Sequence, residues 1–162
     1  MDTDITLPQA MDQALRFLGQ RFLSCYELRQ KMRRKNISNE LIDQVEAKMI
    51  EYDYLNDQRL ADQVLAYMMK EQKYGAFFIK QKMKQRGLEA PSQIQGYDEM
   101  AAAFKVVERK FGKDVVCQSM YSDFTNELAE GRIVNESKVI SALKNRGFSP
   151  AIIRAVCNEL KP

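Results

Sequence analysis

Apolar residues recur along this chain at helical intervals, and the intervals themselves repeat. Met11, Leu15, Leu18 and Phe22 are spaced by four, three and four residues, which places them on one stripe of an amphipathic helix. The same stripe returns at Leu60, Val64 and Tyr67, and again at Met100, Phe104, Val107 and Phe111. A second pattern follows each stripe: an apolar residue, another four later, a basic residue three beyond, then a short break. It reads Leu28, Met32, Lys35, Asn36, Ile37; then Ile79, Met83, Arg86, Gly87, Leu88; then Val139, Leu143, Arg146, Gly147, Phe148. A third helical run follows as Leu41, Ile42, Val45, Met49 in the first copy and Ile152, Ile153, Val156, Leu160 in the last. In the middle copy it fits as Ile94, Tyr97, Ala101 if one extra residue is allowed near Pro91.

The punctuation agrees with three helices per copy. Gly87 and Gly147 fall where the second helix should end, and glycine tolerates the left-handed position that closes a helix. Asn36 holds the equivalent place in the first copy and is the next-best residue for it. Ser38 and Ser149 suit the N-cap of the third helix, Pro150 its first turn, and Asp57 the N-cap of a helix starting near Gln58. No copy this small buries its stripe alone, so neighbours must stack. The expected fold class is all-α: three tandem three-helix repeats stacked into an elongated, curved array. The expected organisation is a tail over 1–9 and repeats over 10–56, 57–101 and 102–162. An insert at about 112–135 interrupts the last repeat. Val115, Val116, Met120, Tyr121, Phe124 and Leu128 predict an extra helical piece there.

Composition narrows the function. The 162 residues include no histidine, which removes the commonest general base and zinc ligand. No phosphate-cradling glycine motif is present, and the acidic residues sit on helix faces and in linkers. The expectation is a protein that is not an enzyme and has no catalytic residues, metal or cofactor. Cys25, Cys117 and Cys157 are too widely spaced for a metal pair or a disulfide framework, and read as small hydrophobes in a reducing compartment. The acidic start of the chain lacks a secretory pattern, and no apolar run could span a bilayer, so the expected location is cytoplasmic with no membrane contact.

The net charge of +3 hides an asymmetry. Between Arg16 and Lys35 seven basic residues face one acid, and between Lys70 and Arg86 six face one. Basic charge therefore gathers on the second helix of every copy. Arg29, Arg33, Arg34 and Lys35, then Lys80, Lys82, Lys84 and Arg86, then Lys138, Lys144 and Arg146 form the candidate strip for a partner or nucleic acid. The linker residues Tyr52, Tyr54, Asp57 and Arg59 are the second candidate group. One of the tyrosines, with Leu55, is expected to close the joint between repeats rather than stack on a base.

These residues resemble the RecX family of bacterial recombination regulators. The carriers are A-L-x-x-L-x-x-R-x-x-S over Ala14–Ser24, E-L-x-x-K-M over Glu27–Met32, Y-L-N-D-x-R-L-A over Tyr54–Ala61 and L-x-x-R-G-F-S over Leu143–Ser149. The resemblance spans about Ala10 to Leu160. Asn36 stands where the family pattern has glycine, and the insert is longer than expected. The resemblance implies a monomeric, cytoplasmic, non-enzymatic protein. It implies binding to the RecA recombinase filament and inhibition of its ATPase, strand-exchange and coprotease activities, so that recombination, DNA repair and the SOS response are modulated. The competing reading is a sequence-neutral nucleic-acid module of tandem helix-turn-helix-like repeats, and weak DNA binding is compatible with both. Against base reading, Glu40 at the start of one third helix would repel phosphate, and Pro150 and Ala151 at the start of another offer nothing to read a base. A generic scaffold is the minor remaining alternative.

Overall fold

The computed structural model describes residues 4–119 and 132–162. Among these residues the order is α1 (Leu7–Gln20), α2 (Cys25–Arg34), α3 (Asn39–Glu51), α4 (Asp57–Glu71), α5 (Ala76–Gln85), α6 (Glu99–Phe111), β1 (Val115–Gln118), β2 (Arg132–Asn135), α7 (Glu136–Asn145) and α8 (Pro150–Glu159). The chain divides into two compact units, Met1–Val64 with Met83–Ala90, and Leu65–Lys82 with Pro91–Pro162.

The second-helix pairs are core in all three repeats. Leu28 and Met32, Ile79 and Met83, and Val139 and Leu143 are each no more than 1% exposed. In the first unit Leu28 and Met32 pack with Ile42, Val45 and Met49 of α3, and in the second Val139 and Leu143 pack with Ile153 and Val156 of α8. The first helices differ from expectation. Leu15 and Phe22 are exposed, Met11 and Leu18 only partly covered, while Ala10 and Ala14 are fully buried. In α6 the covered residues include Ala102 and Ala103, and Phe104 is half-buried. Small side chains let the helix axes approach closely, so the large residues of the stripe flank the contact instead of filling it.

The turn after each second helix repeats in detail. Asn36, Gly87 and Gly147 have φ of 57°, 74° and 76°, the left-handed closure expected of those positions. The next residue in each case, Ile37, Leu88 and Phe148, returns its amide to the carbonyl of Met32, Met83 and Leu143 and is buried. Ser38 and Ser149 accept the amides of Leu41 and Ile152, and Pro150 opens α8. Ser24 and Glu27 form a capping box on α2, an S-x-x-E signature legible in the sequence but absent from the expectation.

Three expectations are corrected. The middle repeat has no third helix: Glu89–Tyr97 is non-helical, and Ala101 belongs to α6. Pro91 and Gly96, the latter at φ 70°, interrupt a segment with too few apolar residues to hold a helix against a core. The described ends of the insert are strands, not helix. β1 pairs in parallel with β2, Val115 facing Arg132 and Cys117 facing Val134. Val115 and Cys117 point inward and Val116 is less covered, the alternation of a strand. Met120, Tyr121, Phe124 and Leu128 lie outside the described residues. Lastly, the N-cap of α4 is Asn56, whose side chain accepts the Arg59 amide, and not Asp57. The fold class is all-α, with this strand pair the one addition among the described residues.

Candidate functional site

The residues of the basic strip divide by what already holds them. Arg29 of α2 is gripped by Asp43 and by Glu46, with Nε 2.5 Å from the Glu46 carboxylate. The hydrogen bond that Arg29 donates to Asp43 first, and the one it donates to Glu46 after it, raise the guanidinium pKa further. Arg33, Arg34 and Lys35 are exposed together at the end of α2. On α5, Lys80 donates to the Ser92 carbonyl and the Lys82 ammonium lies 5.4 Å from the Phe78 ring centroid, while Lys84 is exposed. On α7, Lys138 and Lys144 are exposed, with Arg146 just beyond the helix.

Arg86 and Arg146 occupy equivalent positions and make equivalent contacts. In the first unit Arg86 Nη2 donates to the Phe22 carbonyl at 2.9 Å and its Nε donates to Glu27 at 3.0 Å. Its own carbonyl accepts the Ser24 hydroxyl. In the second unit Arg146 Nη1 donates to the Lys73 carbonyl at 3.5 Å, and its own carbonyl accepts the Gly75 amide at 2.8 Å. Phe22 and Ser24 precede α2 as Lys73 and Gly75 precede α5. The recurrent basic residue therefore fastens the end of one second helix to the entry of the preceding one. Lys35, the equivalent residue of the first repeat, is exposed.

The linker residues are likewise placed. Asp57 Oδ1 accepts the Cys25 amide at 2.9 Å, satisfying a donor at the start of α2 that helix geometry leaves unpaired. Arg59 closes on the linker itself, 2.7 Å from Asp53 Oδ2 and 3.0 Å from the Asp53 carbonyl. Arg59 holds the Asp53 carboxyl below its usual range. Tyr52 and Tyr54 are both more than half exposed, so neither tyrosine is buried at a joint, while Leu55 is buried in the core of the first unit.

Two concave features lie in the second unit. An apolar groove of about 730 Å3 is lined by Phe77, Ile140, Phe148 and Ile153, with Lys144 and Arg154 also on its wall. Phe77 is 68% exposed. A more polar cleft of about 380 Å3 is lined by Lys73, Arg109, Lys110 and Arg146. Of these four, the strip anticipated Arg146 alone. The others come from a loop and from α6, and nothing in their linear order signals that they meet. Among the described residues no group of three His, Cys, Asp or Glu side chains could hold a metal ion. No helix among them is long and apolar enough to cross a membrane.

The fold and these surfaces define a helical protein built on a recurring helix-turn pattern. A family model described as the first three-helix domain of RecX matches residues 10–49, which hold α2 and most of α1 and α3. A regulatory protein RecX of Trichlorobacter lovleyi is 27% identical over 87% of this chain and 88% of its own. One from Chlorobaculum tepidum is 29% identical over 90% of this chain and 84% of its own. The crystal structure of RecX from Lactobacillus salivarius shares the fold, with a TM-score of 0.62 over 95% of this chain and 96% of that one, at 21% identity. Over residues 10–49 the chain thus matches the first three-helix domain of RecX, and along most of its length it is similar to regulatory RecX proteins.

Proposed function

We propose that this protein is a non-enzymatic regulator that binds the RecA recombinase filament and inhibits its ATPase, strand-exchange and coprotease activities. The observation that carries this reading is similarity to regulatory RecX proteins along nearly the whole chain, rather than in one repeat. The surface chemistry is compatible with it. Exposed cations at the end of α2 and along α5 and α7 accompany exposed apolar side chains such as Phe77 and Ile140. Mixed apolar and charged surface suits a protein partner, because buried aromatic anchors carry binding energy and charged rims steer approach. Many modest contacts on a folded module also avoid meeting the association entropy repeatedly.

The test is a titration of RecA-dependent ATP hydrolysis with this protein in substoichiometric amounts. Hydrolysis should fall by more than the stoichiometric fraction, because one bound regulator blocks more than one subunit. Lys82→Glu with Lys84→Glu should weaken that inhibition and leave helicity intact. Undiminished hydrolysis at equimolar protein would remove the proposal.

A further inference from the structure

The seam between second and third helices is built differently in the first and last repeats. The buried residues Leu28 and Val139 correspond, as do the N-caps Ser38 and Ser149. Ile140 of α7 therefore takes the place of Arg29 of α2, and Arg154 and Cys157 of α8 take the places of Asp43 and Glu46 of α3. In the first repeat these three positions form a clamp across the seam, Arg29 on Asp43 and Glu46. In the last repeat the clamp is gone. Ile140 stands 39% exposed where the architecture accepts an arginine, and Arg154 is exposed where it accepts an acid. At this seam lies the apolar groove of about 730 Å3.

The walls of the groove are fixed in advance. The Gly75 amide donates to the Arg146 carbonyl at 2.8 Å, and Tyr74 stacks on Phe78 with ring centroids 4.5 Å apart, so the start of α5 that carries Phe77 is held against the turn after α7. Buried Phe148 and Ile153 make the floor, and exposed Phe77 and Ile140 make the rims. A small ligand would leave those rims wet, whereas a helix laid in the groove covers rims and floor together. Glu136, Ile140 and Lys144 follow one another by four residues along α7, a wall about 12 Å long, or two turns of helix. The charges select the occupant. Glu136, the acid of the lining, is 3.7 Å from Lys161 Nζ, while Lys144 and Arg154 have no carboxylate partner among the described residues. Apolar rims beside unpaired cations match apolar anchors flanked by carboxylates, the charge that Asp43 supplies from within the first repeat.

We propose that this groove docks an acidic amphipathic helix of a partner protein. The apolar stripe of that helix seats between Phe77, Ile140 and Ile153, and its flanking carboxylates pair with Lys144 and Arg154. The docking stands apart from the RecA reading and is measured without RecA, so failure of one leaves the other intact.

The experiment is fluorescence anisotropy of a labelled model peptide of about 15 residues, with leucine at helical spacing and glutamate beside the stripe, titrated with the full chain. One control peptide carries lysine for glutamate and another serine for leucine. The acidic peptide should bind about tenfold or more tighter than the lysine peptide, and the serine peptide should not bind. Ile140→Arg, which puts back the residue of the first repeat, should weaken binding about tenfold or more. Lys144→Gln with Arg154→Gln should bring the acidic and lysine peptides to within about threefold and keep the need for leucine. All three positions are exposed, and circular dichroism checks that each variant is folded. Equal affinity of the parent for both charged peptides overturns the proposal, as does unchanged binding by Ile140→Arg. Arg33→Gln with Lys35→Gln, at the end of α2, should leave the acidic preference in place; an equal loss there overturns the proposal, because net charge then explains it. A dimer in sedimentation that Ile140→Arg dissociates gives the groove to a second copy of this chain and overturns it as well.

Discussion

Arg86 and Glu27, 59 residues apart in sequence, form an ion pair with Arg86 Nη2 2.9 Å from Glu27 Oε1. Glu27 also receives Arg21 at 2.5 Å and the Ser24 amide at 3.1 Å, so one carboxylate caps α2 and anchors the end of α5. Both partners of the pair are mostly covered, with side chains 26% and 17% exposed. Arg86→Ala should lower stability by about 1–2 kcal/mol through loss of charge-assisted hydrogen bonds. Lys84→Ala, at an exposed position two residues earlier, should stay within about 0.5 kcal/mol. Urea unfolding measures both, and equal small effects would show that Arg86 has no structural part.

Gly75 and Gly147 meet so closely that neither position has room for a side chain. A Cβ on Gly75 would sit 2.2 Å from the Gly147 carbonyl oxygen, and one on Gly147 would sit 2.5 Å from Phe78 Cβ. Gly75→Ala should therefore destabilise by about 1–3 kcal/mol, because backbone must move to admit the methyl group. Gly19→Ala, near the end of α1 with nothing within 4 Å, should stabilise by about 0.5–1 kcal/mol through reduced unfolded-state freedom. Thermal melts of the two variants should shift in opposite directions; shifts of the same sign would contradict the close approach.

Met83→Ala tests the second-helix face. Met83 is 1% exposed, and its truncation should lower stability by about 2–4 kcal/mol through lost burial and a residual cavity. A change below about 0.5 kcal/mol in a chemical denaturation curve would mean the wrong face of α5 is inside.

Burial governs the thiols. It pushes Cys117 from 9.0 up to about 12, with Cys157 beside it adding to the rise, and it pushes Cys25 to about 12 with help from Asp57. Well below pH 9 the thiols are protonated in both folded and unfolded chains, and they give no pH dependence. Above it the unfolded thiols ionise while the folded ones keep their protons, so stability falls as pH rises from about 9 toward 12. The drop between about pH 8 and about pH 10.5 should shrink in a Cys25→Ala, Cys117→Ala variant compared with the parent. In a thiol-labelling assay at about pH 8, Cys117 and Cys157 should react only after unfolding; rapid native labelling would rule out their burial.

The second helices, with the third helices of the first and last repeats, are legible in the sequence because their large apolar residues are also their buried ones: Leu28, Met32, Val139 and Leu143 carry the pattern and fill the core. Their turns are legible because Gly87 and Gly147 announce a left-handed closure and Asn36 can replace them. The inward face of the first helices is not, because Ala10, Ala14, Ala102 and Ala103 carry little weight in a count of hydrophobic spacing, yet close helix contact selects for them. At Glu89–Tyr97 the apolar spacing imitates a helix that Pro91 and Gly96 forbid. Among the strip residues, spacing locates Arg86 and Arg146 but cannot reveal their hold on backbone carbonyls far away in sequence. The cleft of Lys73, Arg109 and Lys110 is invisible for the same reason, since folding brings together charges that no local pattern links.

The two arginine fastenings have an evolutionary consequence. Each carries the logic of a clasp at one end of a second helix and a matching eye at the entry to the one before. A tandem duplication would thus arrive with its own fittings, and chain length could change by whole bricks without inventing a new seam.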